Sequence, residues 1–198
     1  MSTERIRRLG VMGGTFDPIH LGHLVVAAQA LHELELDSVV FIPAGQPWQR
    51  PEFSPAEDRF AMTMLAAALH PGFSVSRIEI DRRGPSYTAD TLEALHDFYG
   101  PGLDVSLLLG SDAAAGLPTW HRGERVLQLS RVVVAQRPDH DALSGVHVLA
   151  APELAISASD IRARVRAGRP IDFLVPADVV RYIAEHGLYQ GAREPAGA

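Results

Sequence analysis

The chain of 198 residues contains no cysteine and no lysine. Without cysteine it has no disulfide, no cysteine–metal site and no thiol nucleophile, which is compatible with a reducing cytoplasm. Without lysine it can form no Schiff base and no Walker A phosphate loop, which needs Gly-Lys-Ser/Thr. No apolar run approaches the roughly 20 residues that span a membrane, and the apolar run near the N-terminus is too short for a signal peptide. We therefore expect a cytoplasmic protein with no membrane partner.

The composition is that of a protein with a substantial core, because 46% of the residues are hydrophobic and 21% are charged. We expect a single domain over residues 1–189, followed by a disordered tail at 190–198. The net charge of −6 does not indicate the basic face of a nucleic-acid-binding protein, so no nucleic-acid partner is expected. A small anionic substrate can still be held by a few arginines. The oligomeric state is left open, and a homo-oligomer is allowed.

Apolar runs typical of buried strands alternate with helical patterns along the chain. The predicted strands lie at 9–12, 38–44, 73–80, 104–110, 131–137 and 146–150. The predicted helices lie at 23–34, 54–70, 86–99, 122–129, 156–168 and 176–187. Strands without polar alternation, separated by helices, predict an α/β fold with a doubly wound parallel sheet. Ligands of such sheets bind beyond the C-terminal strand ends, at the point where the strand order reverses.

Two of these helices have recognisable start signals. Ser54 with Glu57 predicts a capping box before the second helix, and Ser157 with Asp160 predicts one before the sixth, which should end at Gly168. The buried face of the first helix is predicted to comprise Leu24, Ala27, Ala28 and Leu31.

The stretch "GVMGGTFDPIHLGHL" at positions 10–24 places a glycine-rich turn at the expected ligand crevice. Its two glycines, Gly13 and Gly14, allow a close approach of backbone to a ligand, and the N–H groups of Thr15 and Phe16 could bind phosphate oxygens.

His20 and His23 lie one turn apart at the start of the following helix, so both rings should point the same way. Gly22 between them should keep that face open, and two imidazoles at a helix N-terminus suit a negatively charged ligand. Surface decoration and metal binding are the alternatives. No other acid–histidine cluster with ligand spacing accompanies the pair, so we predict no metal ligands.

Two motifs resemble signatures of the nucleotidyltransferase superfamily. "GGTFDPIHLGH" (13–23) is similar to Gly-x-Phe-x-Pro-x-His/Thr-x-Gly-His, and "ISASDIR" (156–162) is similar to Ile-Ser-Ser/Thr-Thr-x-Ile-Arg, in the order that the family has them. Ser159 replaces the usual threonine of the second signature but keeps its hydroxyl. "PAGQPWQR" (43–50), "PSYTADTL" (85–92) and "GSDAAAGLPTW" (110–120) resemble segments of the bacterial nicotinate-nucleotide adenylyltransferases.

The resemblance implies a Rossmann-like nucleotidyltransferase fold and an adenylyl transfer from ATP to nicotinate mononucleotide, with Mg²⁺ brought by ATP. The acceptor phosphate attacks the α-phosphorus in line, so positioning and charge stabilisation replace a nucleophile. The implied catalytic residues are His20 and His23 at the α-phosphate and Arg162 at the β- and γ-phosphates.

The resemblance also implies two sets of binding residues. Those for ATP are Gly13, Gly14, Thr15, Phe16, Gly110, Asp112, Arg137, Ser157 and Ser159. Those for the mononucleotide are Trp48, Arg50, Tyr87, Thr88, Trp120 and His121. On the residues alone, Asp112 could equally cap a helix, Thr88 could be an N-cap, Trp120 could belong to the core or to a lid, and Arg137 could be a surface arginine.

Three other functions remain as alternatives. A phosphopantetheine adenylyltransferase or a cytidylyltransferase would favour threonine in place of His20 and would lack the segment around Trp120. A non-catalytic nucleotide-binding module would have less reason to keep both histidines and Arg162. A dehydrogenase would want Gly-x-Gly-x-x-Gly after the first strand, where this chain has "GGTFDP".

Overall fold

The computed structural model describes residues 6–46, 54–135, 146–152 and 154–190. Within these ranges the strands are β1 (Arg8–Gly14), β2 (Ser38–Pro43), β3 (Phe73–Val75), β4 (Asp104–Gly110), β5 (Arg131–Ala135) and β6 (His147–Leu149). The helices are α1 (Leu21–Glu33), α2 (Ala56–Ala67), α3 (Thr88–Tyr99), α4 (Ser111–Gly116), α5 (Gly123–Leu129), α6 (Ala158–Arg166) and α7 (Ala177–Glu185), with a 3₁₀ turn at Leu117–Thr119.

The six strands form one sheet in the order β3-β2-β1-β4-β5-β6, and every pair is parallel. The predicted doubly wound parallel sheet is therefore confirmed. The chain runs from β1 outward to β3 and then returns to place β4 on the other side of β1. The strand order thus reverses between β1 and β4, and the ligand crevice is expected beyond Gly14 and Gly110, where these two strands end.

Both faces of the sheet are buried, as the unalternating apolar runs predicted. Leu107 and Leu108 are consecutive residues of β4 that are 1% and 3% exposed, yet they belong to two different clusters of the core. One cluster includes buried residues of α1, α2, α6 and α7, and the other includes residues of α3, α4 and α5. Burying a Leu side chain contributes about 1.5–3 kcal/mol, so a sheet covered on both faces anchors the loops at its edge. In the part of the chain described, no helix has both the length and the apolar character to cross a membrane.

The helix signals were only partly right. The buried residues of α1 are Leu24, Ala27 and Ala30, and Leu31 is partly buried against the same core, whereas Ala28 is exposed. Since consecutive helical residues lie about 100° apart, Ala28 falls outside the stripe that faces the sheet. The predicted cap of the sixth helix by Ser157 is confirmed, because Ser157 Oγ accepts from the backbone N–H of Asp160 at 3.1 Å. The Asp160 carboxylate does not complete a capping box and instead accepts from Arg164 Nε at 2.7 Å.

The prediction of a capping box before α2 was wrong. Pro55 occupies the N-cap position and makes no side-chain cap. The Glu57 carboxylate instead accepts two hydrogen bonds from Arg77, at 2.8 and 2.9 Å. The ion pair draws the carboxylate away from the helix terminus that it was predicted to cap.

Two further elements differ from the prediction. The strand predicted at 73–80 ends at Val75, because the chain turns and Asp81 N–H donates to the carbonyl of Arg77 at 2.9 Å. The turn buries Glu79, which is 7% exposed. After β4 the chain forms the short helix α4, which starts directly at Ser111 with Gly110 as its N-cap.

Candidate functional site

The turn after β1 crosses the end of the sheet. An added Cβ at Gly13 would meet open space, whereas one at Gly14 would lie 3.0 Å from the ring of Phe16. Phe16 has a left-handed φ of 49° and its ring is buried against Phe41 and His23. Phe16 can therefore present only its backbone to a ligand, and its side chain supports the ring of His23.

The two histidines lie at the start of α1 with their rings stacked, 3.7 Å between centroids and 27° between planes. The prediction that both rings point the same way is confirmed. The backbone N–H of His20 donates to His23 Nδ1 at 3.2 Å. A Cβ at Gly22 would lie 3.0 Å from His20 Nδ1, so glycine at this position leaves room for the ring.

Both imidazoles are neutral in the free protein near pH 7. Burial lowers the pKa of His20 to about 4. Burial and the neighbouring His20 lower the pKa of His23 well below its usual range. Because His23 Nδ1 accepts a hydrogen bond, its proton is on Nε2, so Nε2–H is available to donate to a ligand. The pair thus offers directed N–H donors rather than a fixed positive charge.

Arg162 brings the second signature against the first. Its Nη1 donates to the backbone carbonyl of Asp17 at 2.6 Å, across a separation of 145 residues. The neighbouring hydroxyls of Ser157 and Ser159 lie 3.2 Å apart and both side chains are exposed. Ala158, between them, lines the same cavity as Arg162.

A first cavity of about 430 Å³ lies on the β2 side of the histidines. Four residues predicted for the mononucleotide line it, namely Tyr87, Thr88, Trp120 and His121. The rings of Tyr87 and His121 pack together at 4.2 Å between centroids. Thr88 is the first residue of α3, and the N-cap position belongs to Tyr87. Trp120 packs against the core and also lines the cavity, so the core alternative and the binding alternative both describe it.

A second cavity of about 430 Å³ lies on the other side of the histidines. Gly110 and Asp112 line it, and Asp112 lies exposed in the first turn of α4. Five residues form a wall common to both cavities: Gly13, His20, His23, Leu109 and Ala113. The two cavities therefore meet at the imidazoles, and molecules bound in both would face each other there.

The predicted site residues divide between these cavities in a way that the sequence did not anticipate. Gly14, Thr15 and Phe16, predicted for ATP, line the first cavity together with Arg162 and not the second. Three other predicted residues, Trp48, Arg50 and Arg137, lie outside the described residues. Among the residues described, no group of three or more His, Asp or Glu side chains is placed to hold a metal ion.

Sequence reasoning missed a set of buried polar side chains behind the cavities. Arg59 is 1% exposed and donates to the carbonyls of Thr15, Gly45 and Ser54 at 2.8, 3.2 and 3.0 Å. Burial lowers the pKa of Arg59 despite the nearby carboxylate of Asp17. Arg59 thereby fastens the loop after β1 to the segments that leave β2 and enter α2. A signal was present in the sequence, since an arginine in the apolar pattern of a helix has to find buried acceptors.

Glu79 forms a second buried polar group at the wall of the first cavity. Thr91 Oγ1 donates to Glu79 Oε1 at 2.8 Å, and Arg82 donates to Thr91 Oγ1 at 3.0 Å. Burial raises the pKa of Glu79, against the hydrogen bonds from Thr91 and Ser86. The strand predicted at 73–80 did not indicate this arrangement. The Glu79 carboxylate reaches the wall of the first cavity only because the chain turns after Val75.

Known proteins are similar to this chain in sequence and in fold. The family model described as cytidylyltransferase-like matches residues 11–164. A probable nicotinate-nucleotide adenylyltransferase of Saccharopolyspora erythraea is 46% identical over 98% of this chain and 95% of its own. One of Leifsonia xyli is 47% identical over 95% of this chain and 97% of its own. The structure of Plasmodium falciparum nicotinic acid mononucleotide adenylyltransferase complexed with NaAD has a TM-score of 0.77 at 18% identity, covering 91% of this chain and 96% of the other.

Proposed function

This chain belongs to the cytidylyltransferase-like family and, within it, to the nicotinate-nucleotide adenylyltransferases, and from this premise we propose how its two cavities perform the reaction. The protein joins nicotinate mononucleotide to the AMP moiety of ATP, giving nicotinate adenine dinucleotide and pyrophosphate in NAD biosynthesis. The observation that supports our assignment of roles is the wall that the two cavities share at His20 and His23.

The first cavity accepts the mononucleotide. Trp120 stacks on the pyridine ring, and Tyr87, Thr88 and His121 line the same end. This cavity also contains Gly14 and Thr15, whose backbone faces the phosphate of the acceptor. Trp48 and Arg50, which follow β2 in the sequence, are proposed to bind the mononucleotide as well.

The second cavity accepts the adenosine of ATP. Asp112 accepts from a ribose hydroxyl at the end of β4, and Gly110 permits the close approach of the nucleotide. Arg137, two residues after β5 in the sequence, is proposed to bind ATP as well. The α-phosphate then lies at the common wall, where the acceptor phosphate in the first cavity can reach it in line.

The transfer forms a bond from a phosphate oxygen of the mononucleotide to the α-phosphorus of ATP and breaks the bond from that phosphorus to the bridging oxygen of pyrophosphate. The acceptor is already anionic, so no strong general base is needed. His23 donates Nε2–H to an oxygen of the transferring group, and His20 donates beside it. Arg162 lines the first cavity, so the β- and γ-phosphates extend past the common wall to reach it and the α6 N-terminus, with Ser157 and Ser159. Mg²⁺ carried by ATP would supply neutralisation of the phosphate charge, without a carboxylate cage from the protein.

We propose that residues 1–189 form a single domain and that the protein acts in the cytoplasm, where ATP is available. The test is pyrophosphate release from ATP and Mg²⁺ with four acceptors in parallel: nicotinate mononucleotide, nicotinamide mononucleotide, phosphopantetheine and glycerol phosphate. We expect the largest kcat/KM with nicotinate mononucleotide. A larger value with phosphopantetheine or glycerol phosphate would contradict nicotinate mononucleotide as the acceptor.

A further inference from the structure

Asp17 links the C-terminal segment to Arg162 through a single residue. Its carboxylate, in a side chain that is 3% exposed, accepts from the hydroxyl of Tyr189 at 2.7 Å and from the backbone N–H of Ser54 at 3.4 Å. Its backbone carbonyl accepts from Arg162 Nη1 at 2.6 Å. One end of Asp17 is thus held by Tyr189, and the other end holds the arginine of the second signature.

The path of the chain brings Tyr189 to this position from the far end of the sequence. After α7 the chain turns at Gly187, with a left-handed φ of 61°, and Leu188 N–H donates to the carbonyl of Ile183 at 3.0 Å. Tyr189 also has a left-handed φ, 63°, which aims its half-buried ring at Asp17. Burial and the carboxylate of Asp17 raise the pKa of Tyr189, so its hydroxyl keeps the proton that it donates.

A buried positive charge lies near the Asp17 carboxylate and this hydroxyl. Arg59, 1% exposed, lies close enough for electrostatic attraction and fixes the flanking carbonyls of Thr15 and Ser54. The loop around Asp17 is therefore held rigidly on the α2 side. Tyr189, which follows α7, donates to the Asp17 carboxylate, and Arg162 donates to the Asp17 backbone carbonyl.

We propose that Tyr189 is a positioning residue of the transfer reaction, because its hydrogen bond to the Asp17 carboxylate fixes the carbonyl that orients Arg162. This inference rests on the phosphate-binding role proposed for Arg162. Its physical basis is geometric: a guanidinium must match the oxygens of the leaving group in a fixed orientation, and small displacements of a positioned group lower the rate steeply. A ring at the end of the chain thereby influences the chemistry without touching the substrate.

The chain contains a matched control for this test. Tyr182 on α7 donates its hydroxyl to Asp58 Oδ1 at 2.8 Å, so it also ties the C-terminal region to α2 by a tyrosine–aspartate hydrogen bond. Of the two aspartates, Asp17 is the one that accepts a hydrogen bond from Arg162. Tyr189→Phe and Tyr182→Phe each remove one such bond and leave the ring in place. We expect a similar fall in the thermal midpoint for both variants.

The kinetic results should differ between the two. We expect Tyr189→Phe to lower kcat on the order of tenfold, with the KM for nicotinate mononucleotide nearly unchanged. Tyr182→Phe should keep kcat within about twofold of the wild type, as expected of a bond away from the site. Equal kcat values in the two folded variants would overturn the proposal, since the hydroxyl of Tyr189 would then contribute to stability alone.

A double-mutant cycle with Arg162→Ala tests whether the effect passes through Arg162. In that background Tyr189→Phe should change kcat by less than about twofold, because the group that it positions is gone. An undiminished effect would show that Tyr189 acts elsewhere and would overturn the inference. If Arg162→Ala by itself retains the wild-type kcat, the proposed role of Arg162 is wrong and the inference falls with it. If Arg162→Ala loses most of its kcat while Tyr189→Phe and Tyr182→Phe have equal kcat values, the inference about Tyr189 is refuted and the proposed role of Arg162 stands.

Discussion

Removal of the His23 side chain should slow the transfer step far more than it weakens substrate binding. In the free protein the ring is neutral, since burial and His20 lower its pKa, and its Nδ1 is occupied by the N–H of His20 at 3.2 Å. His23 is part of the wall common to both cavities, and Nε2–H is its remaining donor. A donor that is preoriented in a buried site should bond more strongly as charge develops on the transferring phosphate.

The magnitude follows from two separate losses. Loss of one preorganised donor costs on the order of 10²–10³ in kcat, or about 3–4 kcal/mol of transition-state stabilisation. Loss of the acceptor for the His20 N–H, together with the edge contact to Phe16 at 5.1 Å between centroids, removes helix-terminal stability of about 1 kcal/mol. His23→Ala should therefore lose kcat by a factor that its modest loss of stability cannot explain.

The measurement is steady-state pyrophosphate release, with ATP and nicotinate mononucleotide varied in turn, alongside a thermal melt. His96→Ala is a suitable control, because His96 Nε2 bonds the carbonyl of Leu129 at 2.8 Å outside both cavities. This control should lose stability and keep its kcat. If folded His23→Ala retained the wild-type kcat, or raised KM alone, the reasoning from a transition-state donor would be wrong.

Three other predictions concern binding, pH and packing. Trp120→Ala should raise the KM for nicotinate mononucleotide about tenfold or more and leave the KM for ATP nearly unchanged; a change in the ATP value alone would place the ring in the wrong cavity. Burial lowers the pKa of His20 from 6.5 to about 4. Between these two pH values His20 is protonated in the unfolded chain but not in the folded chain. Stability from this residue is thus present above pH 6.5 and is lost towards pH 4, with about 1 kcal/mol gone between pH 7 and 5.5; urea melts of His20→Gln should show a correspondingly shallower pH dependence. Gly45→Ala should destabilise by roughly 1–3 kcal/mol, since the new Cβ would lie 2.2 Å from the carbonyl oxygen of Glu79, whereas Gly13→Ala, with open space around its Cβ, should melt close to the wild type.

The fold could be predicted from the sequence because its signals are local. A run such as "DVSLLLG" needs no knowledge of distant residues to indicate a strand buried on both faces, and β4 has the predicted bounds. The predictions failed where a distant partner intervened. The Glu57 side chain bonds Arg77 instead of capping α2. The second half of the strand predicted at 73–80 is a turn that buries Glu79.

The motifs likewise determined the family and the placement of the histidines. The spacing of His20 and His23 within one turn fixed the parallel direction of their rings. The two signatures, with their order along the chain, predicted the family to which the relatives assign it. These features reside in short segments, so the sequence by itself determined them.

Only the tertiary structure decided how these segments combine into a site. The division into two cavities with a shared wall depends on where β1 and β4 end relative to α3 and α4, which no single segment encodes. The contacts of Asp17 with Arg162 and Tyr189 span 145 and 172 residues. Neutral histidines are also a tertiary property, because a pKa is lowered by the burial that packing creates. The sequence supplies the reactive groups, and packing sets their protonation, orientation and partners.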